Sequence, residues 1–151
     1  MQAVLLASGQ NTRVRHIHPG LPKVMFPLNN RPYLDYYIDT LFEEGISELI
    51  IIVYHLSGII KEYLSDRPEI KTGKIKIIKR RPEYGPVGAL ADIENMLQEK
   101  FFLFYCDTLF KTNLKEAYKK LDNSHFEALT LLTRDEFEMW DNMEIKIDEQ
   151  V

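Results

Sequence analysis

The sequence predicts an α/β fold with an open, mostly parallel sheet and helices on both faces. Short apolar runs alternate with amphipathic stretches in the order strand, helix, strand, helix, strand, helix, strand, helix, strand, strand. Strictly alternating units of this kind favour a parallel sheet. The chain has 151 residues, of which 45% are hydrophobic and 28% charged, as expected for one soluble globular domain with its own core.

The first two strands and the helix between them are predicted from local sequence signals. Residues 2–7 (QAVLLA) form an apolar run typical of a buried strand. The segment from Pro32 to Glu44 is amphipathic, with proline in its first turn and Gly45 just past its end, which predicts a helix. Residues 48–54 (ELIIIVY) are apolar after Glu48 and rich in β-branched side chains, as in a strand covered on both faces of a parallel sheet.

The middle of the chain continues the alternation. Ser57 is the predicted cap of a helix over 58–66. Residues 74–78 (KIKII) alternate lysine and isoleucine, which indicates a strand with one wet face or a position near the sheet edge. A helix is predicted from Gly88 to Gln98.

The last third adds one helix and three strands. Residues 100–106 (KFFLFYC) predict another buried strand. A helix is predicted over 113–123, where Asn113 has the spacing of a capping residue. Residues 126–133 and 143–148 are the two last predicted strands. The aromatic side chains of the first helix fall largely at helical spacing and are predicted to be core: Tyr33, Tyr36, Tyr37 and Phe42.

Charge and cysteine content exclude several classes of protein. A net charge of −4 and a pI near 5.6 argue against a protein that binds nucleic acid through a broad basic surface. Cys106 is the single cysteine, so no intramolecular disulfide can form. The N-terminal apolar run is too short for a signal peptide, and no run approaches membrane-spanning length. We therefore expect a cytoplasmic protein with no membrane or nucleic-acid partner.

Two loops follow predicted strands at the edge where α/β sheets bind ligands. The first, residues 7–13 (ASGQNTR), contains Gly9 and Asn11, which permit close backbone approach or a left-handed conformation. Such a turn can direct backbone N–H groups at phosphate, although an ordinary loop has the same composition. In the second loop, Asp107 ends an apolar strand. It is predicted either to hold Mg²⁺ or to cap the next turn.

Four segments together resemble the sugar-1-phosphate nucleotidylyltransferases, with similarity closest to the guanylyltransferases of heptose and mannose 1-phosphates. "LLASGQNTR" resembles the family's LAGGxGTRL, "LPKVMFP" its PKPxxP, "RPEYGPVGALADI" its EPLGTGGAI, and "FFLFYCDTLF" its FLVLNGDTLF. The resemblance covers nearly the whole chain. It implies a Rossmann-like fold of the nucleotide-diphospho-sugar transferase type, in which this chain is the N-terminal part.

The resemblance also implies a reaction and a set of site residues. An NTP and a sugar 1-phosphate would give an NDP-sugar and pyrophosphate, for the synthesis of cell-surface polysaccharide precursors. Arg13 would clamp the β and γ phosphates, Lys23 would neutralise the α-phosphate and the incoming phosphate, and Asp107 would hold Mg²⁺. The implied nucleotide-binding residues are Leu6, Ala7, Ser8, Gly9, Asn11, Thr12, Gly85 and Gly88.

Several positions depart from the family pattern. Ser8 and Asn11 stand where the family has glycines, Pro86 replaces a threonine, and Cys106 replaces the glycine before the aspartate. The family continues beyond the equivalent of Val151. We therefore expect a single nucleotidyltransferase-like domain over 1–151 that lacks the usual C-terminal sugar-binding portion.

Three functions follow as alternatives. The chain is an active nucleotidylyltransferase, a catalytically silent nucleotide-binding or regulatory subunit of the same fold, or an interaction module without a ligand. Dimers and tetramers are common among similar enzymes, and a homo-oligomer is one outcome that the sequence leaves open.

Overall fold

Parallel strands and the helices that cross between them make up most of the structure. The computed structural model describes residues 1–9, 16–80, 85–108, 110 and 112–130. The strands are β1 Gln2–Ala7, β2 Pro27–Leu28, β3 Arg31–Pro32, β4 Glu48–Val53, β5 Ile75–Lys79 and β6 Phe101–Tyr105. The helices are α1 Tyr33–Glu43, α2 Ser57–Leu64, α3 Pro68–Lys71, α4 Gly85–Ala91 and α5 Leu114–Asp122. Single 3₁₀ turns occupy Lys23–Met25 and Glu94–Met96.

The chain divides into two units, Met1–Glu116 and Ala117–Val151. The first holds both sheets and α1 to α4. The second begins within α5, and its described part continues through turns to residue 130. Among the described helices, none combines the length and hydropathy needed to cross a bilayer.

The main sheet has four parallel strands in the order β5, β4, β1, β6. The chain passes from β1 outward through β4 to β5, and then returns to place β6 on the other side of β1. The direction of winding therefore reverses between β1 and β6. In open α/β sheets, the crevice at the carboxyl ends of two such strands is where ligands bind.

Side chains alternate between the two faces of the sheet, and each face has its own core. Alternate residues of β1, such as Leu5, pack with α1 and α2 on one face, where Leu34, Ile38 and Ile60 are fully buried. The intervening residues of β1 pack on the other face against Ala89 and Ile93, from α4 and the chain after it. Burial on both faces explains the uninterrupted apolar runs, and the predicted α/β fold is confirmed.

Several element boundaries differ from the predictions. Ser57 is the first residue of α2 rather than its cap, because the chain turns at Leu56 in a left-handed conformation (φ 54°) and buries Ser57. The helix predicted from Gly88 begins at Gly85 and ends at Ala91. It ends early because the backbone tightens, with Ile93 N–H donating to the Leu90 carbonyl at 3.0 Å, which brings Ile93 into the core.

The strand predicted over 126–133 is wrong for residues 126–130, which are irregular, with Phe126 52% and Leu129 42% exposed. Residues 131–133 and the strand predicted over 143–148 lie outside the described residues. Two further elements, α3 and the small β2–β3 hairpin, were not predicted from the sequence. The hairpin turns at Asn29 and Asn30, whose φ values of 49° and 62° are those of a type I′ turn.

An ion network lines the side of α1 that carries Asp35 and Asp39. Arg31 donates to Asp35 (Nε to Oδ2, 3.2 Å) and to Asp39. Arg67 donates from Nη2 to Asp39 Oδ1 at 2.8 Å, and the Tyr63 hydroxyl donates to Asp35 Oδ2 at 2.6 Å. Burial alone would raise the pKa of Asp39, but the hydrogen bonds from both arginines outweigh it and lower that pKa. The network ties β3, α1 and the start of α3 together.

Candidate functional site

The carboxyl ends of β1 and β6 lie side by side at the point where the winding of the sheet reverses. Leu6 of β1 is in register with Tyr105 of β6. Beyond the paired residues, Cys106 N–H donates to the Leu6 carbonyl at 3.3 Å. The pairing therefore continues one residue past β6, and Asp107 is the first residue beyond it.

Lys23 reaches this edge from a short 3₁₀ turn. Pro22 precedes the turn in an extended conformation, and the Phe26 N–H closes it by donating to the Lys23 carbonyl at 3.1 Å. Val24 and Met25 are 2% and 8% exposed and pack in the core beneath α1. The buried pair anchors the turn, so the Lys23 side chain is left on the outer side, where it is 42% exposed.

Lys23 and Asp107 form an ion pair although 84 residues separate them in sequence. The distance from Lys23 Nζ to Asp107 Oδ2 is 3.5 Å, and the two side chains are 42% and 51% exposed. The other carboxylate oxygen, Oδ1, accepts from the Thr108 hydroxyl at 3.5 Å. The site thus presents a cation and a carboxylate to solvent at adjacent points, which are the groups that a metal-bound polyphosphate requires.

The site is less polar just beneath these charges. Burial raises the pKa of the Cys106 thiol to about 11, and the neighbouring Asp107 charge adds to the effect. Burial likewise raises the pKa of Tyr33 to about 12, with further contributions from Cys106 and Asp107. Both groups are therefore neutral near pH 7.

The residues predicted after β1 are only partly described. Leu6 and Ala7 are buried at 7% and 5% exposure and end the strand, Ser8 is half-buried and Gly9 is exposed. Of the two roles that Gly9 permits, the left-handed conformation is not adopted, since its φ is not positive. A Cβ added there would meet nothing within 4 Å, so close approach of another molecule remains open. Arg13, Asn11 and Thr12 lie outside the described residues.

The predicted glycines of the other loop fall within α4. Gly85 opens the helix with φ +64° and has open space around it, a conformation that L side chains rarely adopt. Gly88 lies half-buried one turn later. Of the residues predicted for the site, Lys23 and Asp107 lie together in the structure. Among the predicted glycines that the structure describes, Gly85 has a positive φ that favours glycine at its position.

Two tyrosines at this site were not predicted from the sequence to belong to it. The Tyr37 hydroxyl donates to the carbonyl oxygens of Tyr105, at 2.7 Å, and Thr108. Tyr105 ends β6 with 52% of its surface exposed. The only sequence signal for Tyr105 is its position, two residues before the aspartate that follows a predicted strand. Tyr37 has no local signal, because its partners lie in a distant part of the chain.

No cluster of three or more histidine, cysteine, aspartate or glutamate side chains suitable for a metal occurs in the described part of the chain. A divalent cation held by Asp107 would therefore complete its coordination with ligands such as phosphate oxygens and water, as Mg²⁺ commonly does.

Comparison with known proteins gives a consistent result. Residues 2–138 match the family model described as nucleotidyl transferase. The chain is 31% identical over 150 residues to a D-glycero-alpha-D-manno-heptose 1-phosphate guanylyltransferase of Campylobacter jejuni, covering 99% of this chain and 65% of that protein. It is 30% identical to the UTP–glucose-1-phosphate uridylyltransferase AglF of Haloferax volcanii, covering 87% of this chain and 54% of that protein.

A solved structure supports the fold. The crystal structure of HddC from Yersinia pseudotuberculosis superposes with a TM-score of 0.71 at 21% identity, covering 81% of this chain and 54% of that one. The chain thus spans between about half and two thirds of the lengths of the relatives named. The family match extends over most of the chain and includes the strands and turns that carry Lys23 and Asp107. This chain therefore belongs to the nucleotidyl transferase family.

Proposed function

We propose that this chain is the nucleotide-binding part of an enzyme that converts an NTP and a sugar 1-phosphate to an NDP-sugar and pyrophosphate. The observation that carries the proposal is the Lys23–Asp107 pair, 3.5 Å apart at the reversal point of the sheet. The named relatives act on heptose and glucose 1-phosphates. Such products are activated precursors for cell-surface polysaccharides.

The reaction itself asks for positioning and charge neutralisation. An oxygen of the sugar phosphate attacks the α-phosphorus, the bond from that phosphorus to the bridging oxygen of pyrophosphate breaks, and pyrophosphate leaves with the electron pair. Lys23, as a movable point charge, would neutralise the α-phosphate and the incoming phosphate. Arg13 would hold the β and γ phosphates through its planar guanidinium.

Asp107 suits a magnesium ion. Its carboxylate is 51% exposed and follows directly on the β6 pairing, and Mg²⁺ prefers one or two carboxylates together with substrate phosphates. When bound, Mg²⁺ would neutralise charge on the reacting phosphates. Asp107 would hold the ion and, through its pairing with Lys23, keep cation and metal on the same side of the nucleotide.

The remaining predicted residues would enclose the nucleotide. Leu6, Ala7, Ser8 and Gly9 lie at the end of β1 and would wall in the base and ribose. From the other side, the backbone at Gly85 and Gly88 would complete the enclosure, together with Asn11 and Thr12. The named relatives use guanylyl transfer and UTP, so GTP and UTP are the first nucleotides to test.

The wider setting follows from the substrates. NTPs and sugar phosphates are cytoplasmic metabolites, so we place the reaction in the cytoplasm. We also propose that residues 1–151 act as one nucleotidyltransferase-like domain and that the sugar-binding portion of the relatives lies outside the matched region. A homo-oligomer is compatible with this arrangement.

The test has a binding step and a turnover step. Thermal unfolding is followed with ATP, GTP, CTP, UTP and dTTP, each with Mg²⁺. A ligand at about one hundred times its dissociation constant stabilises by about 2.7 kcal/mol, which for a domain of this size raises Tm by roughly 5 to 11 °C. Pyrophosphate release is then measured with the stabilising nucleotide and a panel of sugar 1-phosphates.

Matched variants connect any activity to the site. Lys23→Ala should abolish pyrophosphate release, whereas Lys71→Ala should not. Lys71 also belongs to an exposed ion pair, at 3.6 Å from Asp66, but it lies in α3. Stabilisation without turnover would favour the catalytically silent subunit. Absence of stabilisation by all five nucleotides would leave only an interaction module.

A further inference from the structure

The turn that carries Asp107 is held on both sides while its carboxylate remains half-exposed. On its N-terminal side, Cys106 N–H donates to the Leu6 carbonyl of β1 at 3.3 Å. On its C-terminal side, the Phe110 ring stacks on Phe104 of β6, with centroids 4.6 Å apart and planes 13° apart. These contacts fix the ends of the turn, and neither touches the peptide groups next to Asp107 on its C-terminal side.

Tyr37 of α1 supplies the contact in the middle of the turn. Its side chain is 2% exposed, and its hydroxyl donates to the carbonyl oxygens of Tyr105, at 2.7 Å, and Thr108. The two acceptors bracket Asp107 in sequence. A phenol has one proton, so the hydroxyl shares it between the two carbonyls and draws them toward one point.

The tyrosine ring is itself held in place. It packs edge-on against Tyr33, at 5.5 Å between centroids, and lies 5.8 Å from Phe110. Burial raises the pKa of Tyr37 well above its usual value, with further contributions from Tyr33, Cys106 and Asp107. The hydroxyl therefore stays protonated and remains a donor throughout the physiological range.

We propose that Tyr37 is a positioning residue, whose hydroxyl holds residues 105–108 in the geometry that directs the Asp107 carboxylate toward Lys23 and a metal-bound nucleotide. The proposal rests on the proposed function. Phenylalanine would fill the same volume and keep the ring contacts, but it would leave two backbone carbonyls in a partly buried site without this donor. The effect of the hydroxyl is therefore separable from that of the ring.

Tyr37→Phe is the test variant and Tyr36→Phe its matched control. Tyr36 is the preceding residue on the same helix, and its hydroxyl also donates a hydrogen bond to a backbone carbonyl, that of Leu28, at 3.0 Å. That bond lies at the β2–β3 hairpin. Both variants lose one phenol proton donor and no ring, so they differ in which backbone carbonyls lose that donor: those of Tyr105 and Thr108, or that of Leu28.

The first readout is independent of any nucleotide. Cys106 is the single cysteine of the chain and lies within the turn, so its rate of reaction with a thiol reagent reports opening of that turn. Loss of one such hydrogen bond corresponds to about a tenfold change in an opening equilibrium. We expect labelling about tenfold faster in Tyr37→Phe and unchanged in Tyr36→Phe.

The second readout isolates the metal. Dissociation constants are measured by calorimetry for GTP and UTP with Mg²⁺ and again with EDTA, and their ratio gives the affinity that depends on the metal. We expect Tyr37→Phe to reduce this ratio about tenfold, with little change in the constant in EDTA. A tyrosine that merely stabilised the fold would leave the ratio unchanged.

The outcomes separate the two proposals. If the wild-type protein binds neither GTP nor UTP more tightly with Mg²⁺ than with EDTA, that result contradicts the proposed function. It also contradicts the role of Tyr37 in metal binding. Metal-dependent binding in wild type with an unchanged ratio in Tyr37→Phe overturns the positioning role alone, whether or not labelling accelerates. If Tyr37→Phe does not fold, Phe110→Leu removes the ring stacking at the end of the turn and leaves the hydroxyl in place. The ratio should then stay at the wild-type value, and a tenfold lower ratio in that variant would overturn the proposal.

Discussion

The Lys23–Asp107 pair should matter much more for ligand binding than for folding. At 3.5 Å, two unit charges in water attract by about 1.2 kcal/mol. Ordering two side chains that are 42% and 51% exposed opposes this attraction, and measured exposed pairs contribute about 0.2 to 1 kcal/mol. Lys23→Ala and Asp107→Asn should therefore each lower the free energy of unfolding by no more than about 1 kcal/mol, equivalent to a Tm decrease of about 2 to 4 °C.

Ligand binding should respond far more strongly to the same substitutions. A hydrogen bond to a charged group contributes about 1.5 to 3 kcal/mol, which is a factor of about 10 to 150 in affinity. We expect that loss for Mg²⁺-bound GTP or UTP in both variants. Lys23→Arg should restore little of it, because a planar guanidinium does not replace a compact, movable ammonium.

The assay combines urea denaturation with calorimetric titration of Mg²⁺ and GTP or UTP. Lys71→Ala and Asp66→Asn serve as controls, because that exposed pair is also long, at 3.6 Å, and lies at α3, which leads into the amino end of β5. The controls should lower the free energy of unfolding by no more than about 1 kcal/mol, as expected for an exposed pair. They should leave the dissociation constant of the Mg²⁺-bound nucleotide within about twofold of the wild-type value. The reasoning would be refuted by variants at 23 and 107 that bind as wild type does, or that unfold more easily by several kcal/mol.

Three further predictions concern stability. The raised pKa of Cys106, about 11 against 9.0 for a free thiol, makes the folded state bind this proton more tightly than the unfolded state. Stability should fall between about pH 9 and 11, and Cys106→Ala should flatten that decline in urea titrations. Asn113→Ala should cost about 1 kcal/mol, since Asn113 Oδ1 accepts from Glu116 N–H at 3.0 Å, whereas Asn113→Asp should cost little. Leu5→Ala, at a fully buried position, should cost about 2 to 5 kcal/mol, whereas Val87→Ala, at a site 77% exposed, should be nearly neutral.

The sequence predicted the element types where the physical cause was local. An uninterrupted apolar run such as 49–53 removes its side chains from water only when both faces of the strand are covered, and every residue after Glu48 in that strand is buried. Gly45 likewise ends α1 with φ 93°, as expected of a residue just past a helix. In both cases the residues that decide the structure are the residues of the element itself.

Predictions failed where tertiary contacts or local backbone conformation decided the outcome. The apolar character of 126–130 suggested a strand, but the segment is irregular, with Phe126 and Leu129 exposed. Tyr36 shares the helical spacing predicted for core, yet its ring lies 5.1 Å from the Arg31 guanidinium and its hydroxyl contacts the Leu28 carbonyl. Spacing identifies the residues on one side of a helix but not what each side chain will meet there.

The candidate site shows the same division. That Lys23 and Asp107 carry the chemistry was a prediction from their motifs, and each motif is local. Their meeting depends on β6 lying beside β1 rather than beyond β5, a choice made by pairings such as Gln2 with Phe101 that no segment encodes by itself. The same choice brings Tyr37 to the Asp107 turn, because α1 covers the face of the sheet on which Phe104 lies. If Tyr37 positions the carboxylate, strand order specifies the site as well as the fold, and variants that weaken the β1–β6 pairing should reduce metal-dependent binding before they unfold the domain.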